Sequence, residues 1–104
     1  MTQFEVFTNP IAHARPSYPF VVVLQANVAR GGHERAVAPV APRAAFPVIS
    51  GRLTPIVTIE RDEFVLLVTS LTTVPVRRFS RAVASLADRR DDIFAAIDYL
   101  FFGV

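Results

Sequence analysis

Apolar and polar positions follow two periods along this 104-residue chain, and the change of period divides it into a long first part and a short second one. Gln3 to Phe7 alternates, with Phe4 and Val6 on one side and Glu5 and Phe7 on the other, which predicts a strand. Asn9-Pro10 breaks it, and the proline-bearing stretch to Pro19 reads as a loop. Phe20-Val21-Val22-Val23-Leu24 has no polar position, so a strand covered on both faces is expected. Gly31-Gly32 marks a turn. Arg35 to Ala41 alternates weakly through Val37, and Pro39 predicts an edge strand or a bulge there. Pro42 to Gly51 reads as a second long loop, carrying the apolar Phe46, Val48 and Ile49. Thr54 to Glu60 and Glu63 to Thr69 are predicted strands joined tightly at Arg61-Asp62, an antiparallel hairpin. Thr72 to Phe79 is a further strand, placed at an edge by Pro75.

The helical period appears only at the end. Ile93, Phe94, Ile97, Leu100 and Phe101 form one stripe, and the helix is expected to run to about Phe102. Asp88 is the candidate N-cap, with Asp91 three positions on in a capping-box-like arrangement. Gly103 is a natural helix stop. The fold class that follows is mainly β with one C-terminal α-helix: a partly open antiparallel barrel with the helix laid on it, in a single domain spanning residues 1–104. The end itself, Leu100-Phe101-Phe102-Gly103-Val104, is unusual, because chain ends are ordinarily polar and frayed. Residues this apolar need burial, either in the chain's own core or in another protein.

Composition narrows the possibilities. Hydrophobic residues make up 52% of the chain, high for so small a domain, which points to a dimer interface or a partner surface. No run approaches the roughly 18–20 apolar residues of a membrane span, and no signal peptide is expected. Cysteine is absent, which excludes disulfides and fits the cytoplasm. All basic residues are arginine, and the net charge is only +2. Arg77, Arg78, Arg81, Arg89 and Arg90 are diluted by Asp88, Asp91 and Asp92, which reads as a self-neutralising face rather than a nucleic-acid stripe. No catalytic motif stands out. There is no cysteine nucleophile, Gly-x-Ser-x-Gly elbow or phosphate loop, and His13 and His33 fall in predicted loops. The acidic residues at the helix start are favoured by the helix dipole and need no metal. Neither a cofactor nor a metal is expected.

Several segments in order resemble the CcdB family of toxins. Gln3-Phe4-Glu5-Val6-Phe7 resembles that family's Gln-Phe-x-Val-Tyr opening, and Leu24-Gln25-Ala26-Asn27 its Val-Gln-Ser-Asp. Arg35-Ala36-Val37-Ala38-Pro39-Val40 resembles Arg-x-Val-Ile-Pro-Leu, and Leu53-Thr54-Pro55-Ile56-Val57-Thr58-Ile59 the Tyr-Pro-Val-Val-His-Ile strand. Thr73-Val74-Pro75-Val76 is similar to Ser-Val-Pro-Val. Asp92-Ile93, Ala96-Ile97, Phe101 and Gly103-Val104 resemble Asp-Ile-x-x-Ala-Ile with a Phe-Trp-Gly-Ile end. The loops from Pro10 to Pro19 and from Pro42 to Gly51 diverge.

The resemblance implies an SH3-like barrel, shared with the PemK toxins, and a homodimer. It implies a non-enzymatic toxin of a toxin–antitoxin module that poisons DNA gyrase, inserting its C-terminal end into the gyrase A subunit and trapping the DNA cleavage complex. The positions that match the family's gyrase-binding surface are Phe102, Gly103 and Val104, with Phe101 and Asp98 on the helix and Val28 and Ala29 elsewhere. Phe102 stands where the family pattern has tryptophan, and Ala29 where it has isoleucine. A CcdA-like antitoxin is the second implied partner, with DNA met only through the antitoxin complex. Its disordered tail is expected to fold along loops and strand edges near Pro39 and Phe46. Two other readings stand beside this one: an endoribonuclease like the PemK and MazF toxins, and a non-toxic CcdB-like dimer that only binds antitoxin. An apolar Phe-Gly-Val end suits insertion into protein and has no role in cutting RNA.

Overall fold

The computed structural model describes residues 1–29, 32–46 and 52–104, with Val28 described in its backbone only. Among the described residues seven strands form one antiparallel sheet: β1 (Glu5–Thr8), β2 (Phe20–Val23), β3 (Glu34–Pro42), β4 (Ile56–Ile59), β5 (Asp62–Leu66), β6 (Thr72–Pro75) and β7 (Ala82–Ser85). The main path runs β4-β5-β3-β2-β1-β7, and β6 joins it by pairing with β3. One helix, α1 (Arg90–Phe102), follows the last strand. The sheet is a curled, open half-barrel, and the expected fold class holds.

Alternation along the strands sends side chains into different clusters. Val6, Val22, Ala38, Val40, Val57, Ile59, Phe64 and Leu66 enter the main core, together with Ile93 and Ala96 from α1. On the opposite face Phe7, Val21, Val23, Val37 and Val74 form a second cluster, closed by Met1, Phe79 and Ala82. Ala41, Val65 and Leu67 form a third, with Phe46 against them. Every residue from Val21 to Leu24 is buried, as a strand covered on both faces requires.

The longest strand, β3, holds the sheet together, and the expectation of an edge at Pro39 is overturned. Val37 to Val40 pairs with β2 on one side, while on the other Val40 to Pro42 pairs with β5 and Glu34 to Val37 with β6. Pro39 sits where the second side passes from β5 to β6. Its carbonyl accepts the Leu67 amide at 3.0 Å, so its missing N–H falls in the gap between two partners, where no ladder bond is lost. Pro75, by contrast, does lie in an edge strand: among the described residues β6 pairs with β3 alone.

The hairpin of β4 and β5 closes Ile59 against Asp62, with Glu60 and Arg61 both at positive φ (53° and 76°). Two left-handed central residues match the right-handed twist of the strands, so the turn forms without glycine at the cost of some backbone strain. The predicted strands shrink at their ends. Val68–Ser70 and Val76–Arg78 are 3-10 turns rather than continuations of β5 and β6. Strand β7 was not expected from the sequence. It pairs with β1 through a register shift between Val6 and Phe7 that leaves Val83 without a partner, and Val83 is exposed.

The helix start also differs from expectation. Asp88 lies in a 3-10 turn (Ala87–Arg89), the N-cap residue is Arg89, and neither Asp88 nor Asp91 makes a side-chain cap bond. Asp92 instead pairs with Arg89 at 2.8 Å on the surface. The helix is held by packing. Ile93 and Ala96 are fully buried, with Phe94, Ile97 and Leu100 packed around them. The Phe94 ring meets Phe4 edge-on at 5.3 Å, and Phe4 reaches that place with a φ of 71°, a rare conformation for a bulky residue. Its amide donates to Val23 and its carbonyl accepts from Leu86, which ties this strained residue into two strand ends.

Ile93→Ala should therefore cost about 2–5 kcal/mol in denaturant-monitored unfolding, from lost burial plus a cavity. Ile97→Ala, on the half-buried flank of the same stripe, should cost less.

Candidate functional site

The stripe of α1 follows the spacing Ile93, Ala96, Ile97, Leu100, and that geometry decides what the end of the chain can do. Phe101 does not belong to it: the residue is 59% exposed, a correction to its expected place in the buried stripe. Phe102 and Val104 are each 74% exposed. The apolar end is therefore not spent on the chain's own core. The rings of Phe101 and Phe102 stand 6.5 Å apart and tilted, two aromatic faces offered side by side.

Backbone geometry sets where the helix stops. Gly103 adopts φ 70°, ψ 20°, and its amide donates to the Tyr99 carbonyl at 3.1 Å, closing the last turn with a left-handed cap. This is a position where glycine is favoured, because a Cβ would be strained by the backbone although nothing lies within 4 Å of it. Beyond the cap Val104 turns back toward Arg52, whose guanidinium donates to the Val104 main-chain oxygen at 2.9 Å. The same guanidinium lies 4.5 Å above the Tyr99 ring. Neither Arg52 nor Tyr99 stood out in the sequence. They are 47 positions apart, and an isolated arginine before an apolar residue carries no signal by itself.

Beside the tail lies an apolar cavity of about 170 Å³ between α1 and the sheet, lined by Leu24, Gln25, Val68, Leu71, Leu100 and Phe101 among others. Leu71 and Phe101 are exposed at it. Gln25 links this cavity to a second expected site. Its Nε2 donates to the Ala29 carbonyl and its Oε1 accepts the Ala36 amide, so one side chain ties the Asn27–Ala29 turn to β3. Asn27 in turn accepts the Gln3 amide at 2.8 Å. Ala29 is exposed in this turn, and the side chain of Val28 lies outside the described residues. Asp98 is exposed on the outer face of α1, one turn before the cap.

Other expected positions fare differently. Both edges of β3 are occupied around Pro39, so no free strand edge exists there for an antitoxin to extend. Phe46 is half-buried against Ala41, Val65 and Leu67. Val48, Ile49 and the rest of residues 47–51 lie outside the described residues, as do Arg30 and Gly31. His13 and His33 are both exposed and far apart in sequence. Among the described residues no group of histidine and acidic side chains is arranged to hold a metal ion. No helix among them is long and apolar enough to cross a membrane.

An open antiparallel half-barrel with one C-terminal helix laid on it is the architecture of the CcdB fold. A family model described as CcdB protein matches residues 3–103, nearly the whole chain. The chain belongs to the CcdB family, and it is a toxin of the toxin–antitoxin kind.

Because Phe102, Gly103 and Val104 lie past the packed stripe, deleting them should shift folding stability by no more than about 0.5 kcal/mol. Gly103→Arg should cost at most about 1–2 kcal/mol, the price of a left-handed non-glycine residue, and less where the end frays instead. Thermal melts of the two variants beside the intact chain measure both.

Proposed function

We propose that the protein poisons DNA gyrase by binding, inserting the end of α1 and its tail into the gyrase A subunit and holding the DNA cleavage complex open. The observation that carries this reading is the exposure of Phe101, Phe102 and Val104 beyond a helix whose buried stripe ends at Leu100. Aromatic side chains projecting from a rigid element are typical anchors of protein interfaces, since they bury large areas with few rotatable bonds. Phe102 presents a flat π face able to stack on an arginine of the target, and it lacks the indole N–H that tryptophan would add. Gly103 lets the chain turn sharply just behind that ring. Asp98, Val28 and Ala29 complete the proposed surface, with the last two carried on the turn that Gln25 and Asn27 brace. On this reading nothing is turned over chemically, and the protein is not an enzyme.

The active form is a homodimer that offers both tails on one face, a two-fold surface for a two-fold target. Exposed Leu71, at the rim of the apolar cavity, supplies apolar surface suited to such an association. A CcdA-like antitoxin masks or strips the toxin, and DNA is reached only through that antitoxin complex. The place of action is the cytoplasm, where gyrase works.

Expression in a gyrase-sensitive host should accumulate cleaved plasmid DNA bound to gyrase. Deleting Phe102–Val104, or making Gly103→Arg, should abolish that signal while the variant remains folded, and Phe102→Trp should preserve or strengthen it. A folded tail-deletion variant that still traps cleaved DNA would overturn the tail as the inserting segment and place the active surface elsewhere, whereas a toxic intact chain that traps no cleaved DNA would favour the ribonuclease alternative. Sedimentation equilibrium at micromolar concentration should show a species of twice 11.5 kDa. A purely monomeric protein would count against the two-fold surface.

A further inference from the structure

We infer that Arg52 is a positioning residue for the tail: it clamps the chain beyond the helix in the direction from which it docks. This role rests on the reading of Phe102–Val104 as the target-binding segment and adds a residue to it. The clamp has an anchored base and two contacts. Leu53, half-buried against the main core, holds the neighbouring Arg52 close to the last turns of α1. The Arg52 guanidinium carbon lies 4.5 Å from the centre of the Tyr99 ring, over its face. Its Nη1 donates at 2.9 Å to the Val104 main-chain oxygen.

Tyr99 serves twice in this arrangement. Its carbonyl accepts the Gly103 amide, so its backbone defines the helix cap while its ring carries the arginine. A closed circuit results, running from Tyr99 through Gly103 and Val104 to Arg52 and back. Within it Val104 is held by a main-chain contact, which leaves its side chain and the Phe102 ring exposed for a partner. Guanidinium is suited to this double task. Its flat face stacks on an aromatic ring while its in-plane N–H groups still donate, and an ammonium group cannot stack in that way.

An apolar tail after a left-handed glycine would otherwise sample many directions, and a target would have to order it on binding. Holding it beforehand removes part of that cost, which is how pre-organisation raises affinity. The contacts are on the surface, so the clamp sets the tail's direction and leaves global stability untouched.

The test uses the full chain and the purified gyrase A subunit. In the free protein, 15N relaxation should give Gly103 and Val104 order parameters close to the rigid-backbone value of about 0.85, falling below about 0.6 in Arg52→Ala. Arg52→Lys should fall most of the way, because the stacked donor is lost. Tyr99→Leu should loosen the tail similarly, and combining it with Arg52→Ala should add little, as expected for two members of one contact. Thermal midpoints should match the parent chain. Binding to the gyrase A subunit should weaken about three- to tenfold in Arg52→Ala. Unchanged order parameters in Arg52→Ala overturn the clamp, whatever happens with gyrase. A loosened tail with unchanged gyrase affinity overturns the positioning role. A parent chain with an ordered tail and no affinity for the gyrase A subunit overturns the choice of target, and with it this role in docking, while the order parameters still report separately on the clamp.

Discussion

The structure depends on the seating of α1 on the inner face of the curled sheet. Ile93 and Ala96 enter the main core completely, and Phe94 is fixed edge-on against Phe4. These contacts are made by the first half of the helix. Its second half continues the same seat through Ile97 and Leu100, which pack against that cluster, so the direction of the tail follows from the whole buried stripe. Phe4 accepts a left-handed backbone to meet Phe94, and the hydrogen bonds of its amide and carbonyl to Val23 and Leu86 keep it there. Local strain is tolerated because burial of a large ring outweighs it.

The molecule divides its apolar residues between two uses. Strand residues and the buried stripe of α1, as far as Leu100, fill the three clusters, and the residues beyond Leu100 take no part in them. The end is left with Phe101, Phe102 and Val104 in solvent, backed by an apolar cavity and by Leu71. A small domain that leaves aromatic rings outside forgoes burial it could have gained, and the proposed function gives that arrangement its sense as a surface completed by another protein. A binding role asks for rigid apolar groups at a defined place. Membership of the CcdB family places the chain in a toxin–antitoxin setting.

Several parts of this arrangement were legible in the sequence and others were not, for identifiable reasons. The alternation of Val6 and Phe7, the continuous run from Phe20 and the hairpin of β4 and β5 are local patterns, and they survive in the fold. Pro39 misled, because a proline excludes only the hydrogen bond its missing donor would make. The chain places that gap between β5 and β6, a non-local fact. Strand β7 escaped notice because four short residues with a bulge carry little periodicity. The acidic residues at the helix start had the composition of a cap without its geometry, and Arg89 and Asp92 met instead. At the candidate site, the apolar character of Phe102, Gly103 and Val104 marked the end as unusual, while their role as a binding segment, like that of Asp98, Val28 and Ala29, is implied only by the family resemblance. Phe101 was misassigned because it lies one residue beyond Leu100, at the margin of the stripe, where a small rotation decides between core and solvent.

By itself the sequence determined the class of fold, the approximate element order and the unusual character of the chain's end, because hydrophobic period and turn chemistry act over a few residues. Tertiary structure alone decided which strand is central, which face of α1 is buried and that the tail stands in solvent. It alone brought Arg52 onto Tyr99 and Val104, and Gln25 between Ala29 and the cavity. Those contacts join residues distant along the chain. Their energies exist only once the sheet has curled and the helix has seated, so no local pattern could announce them.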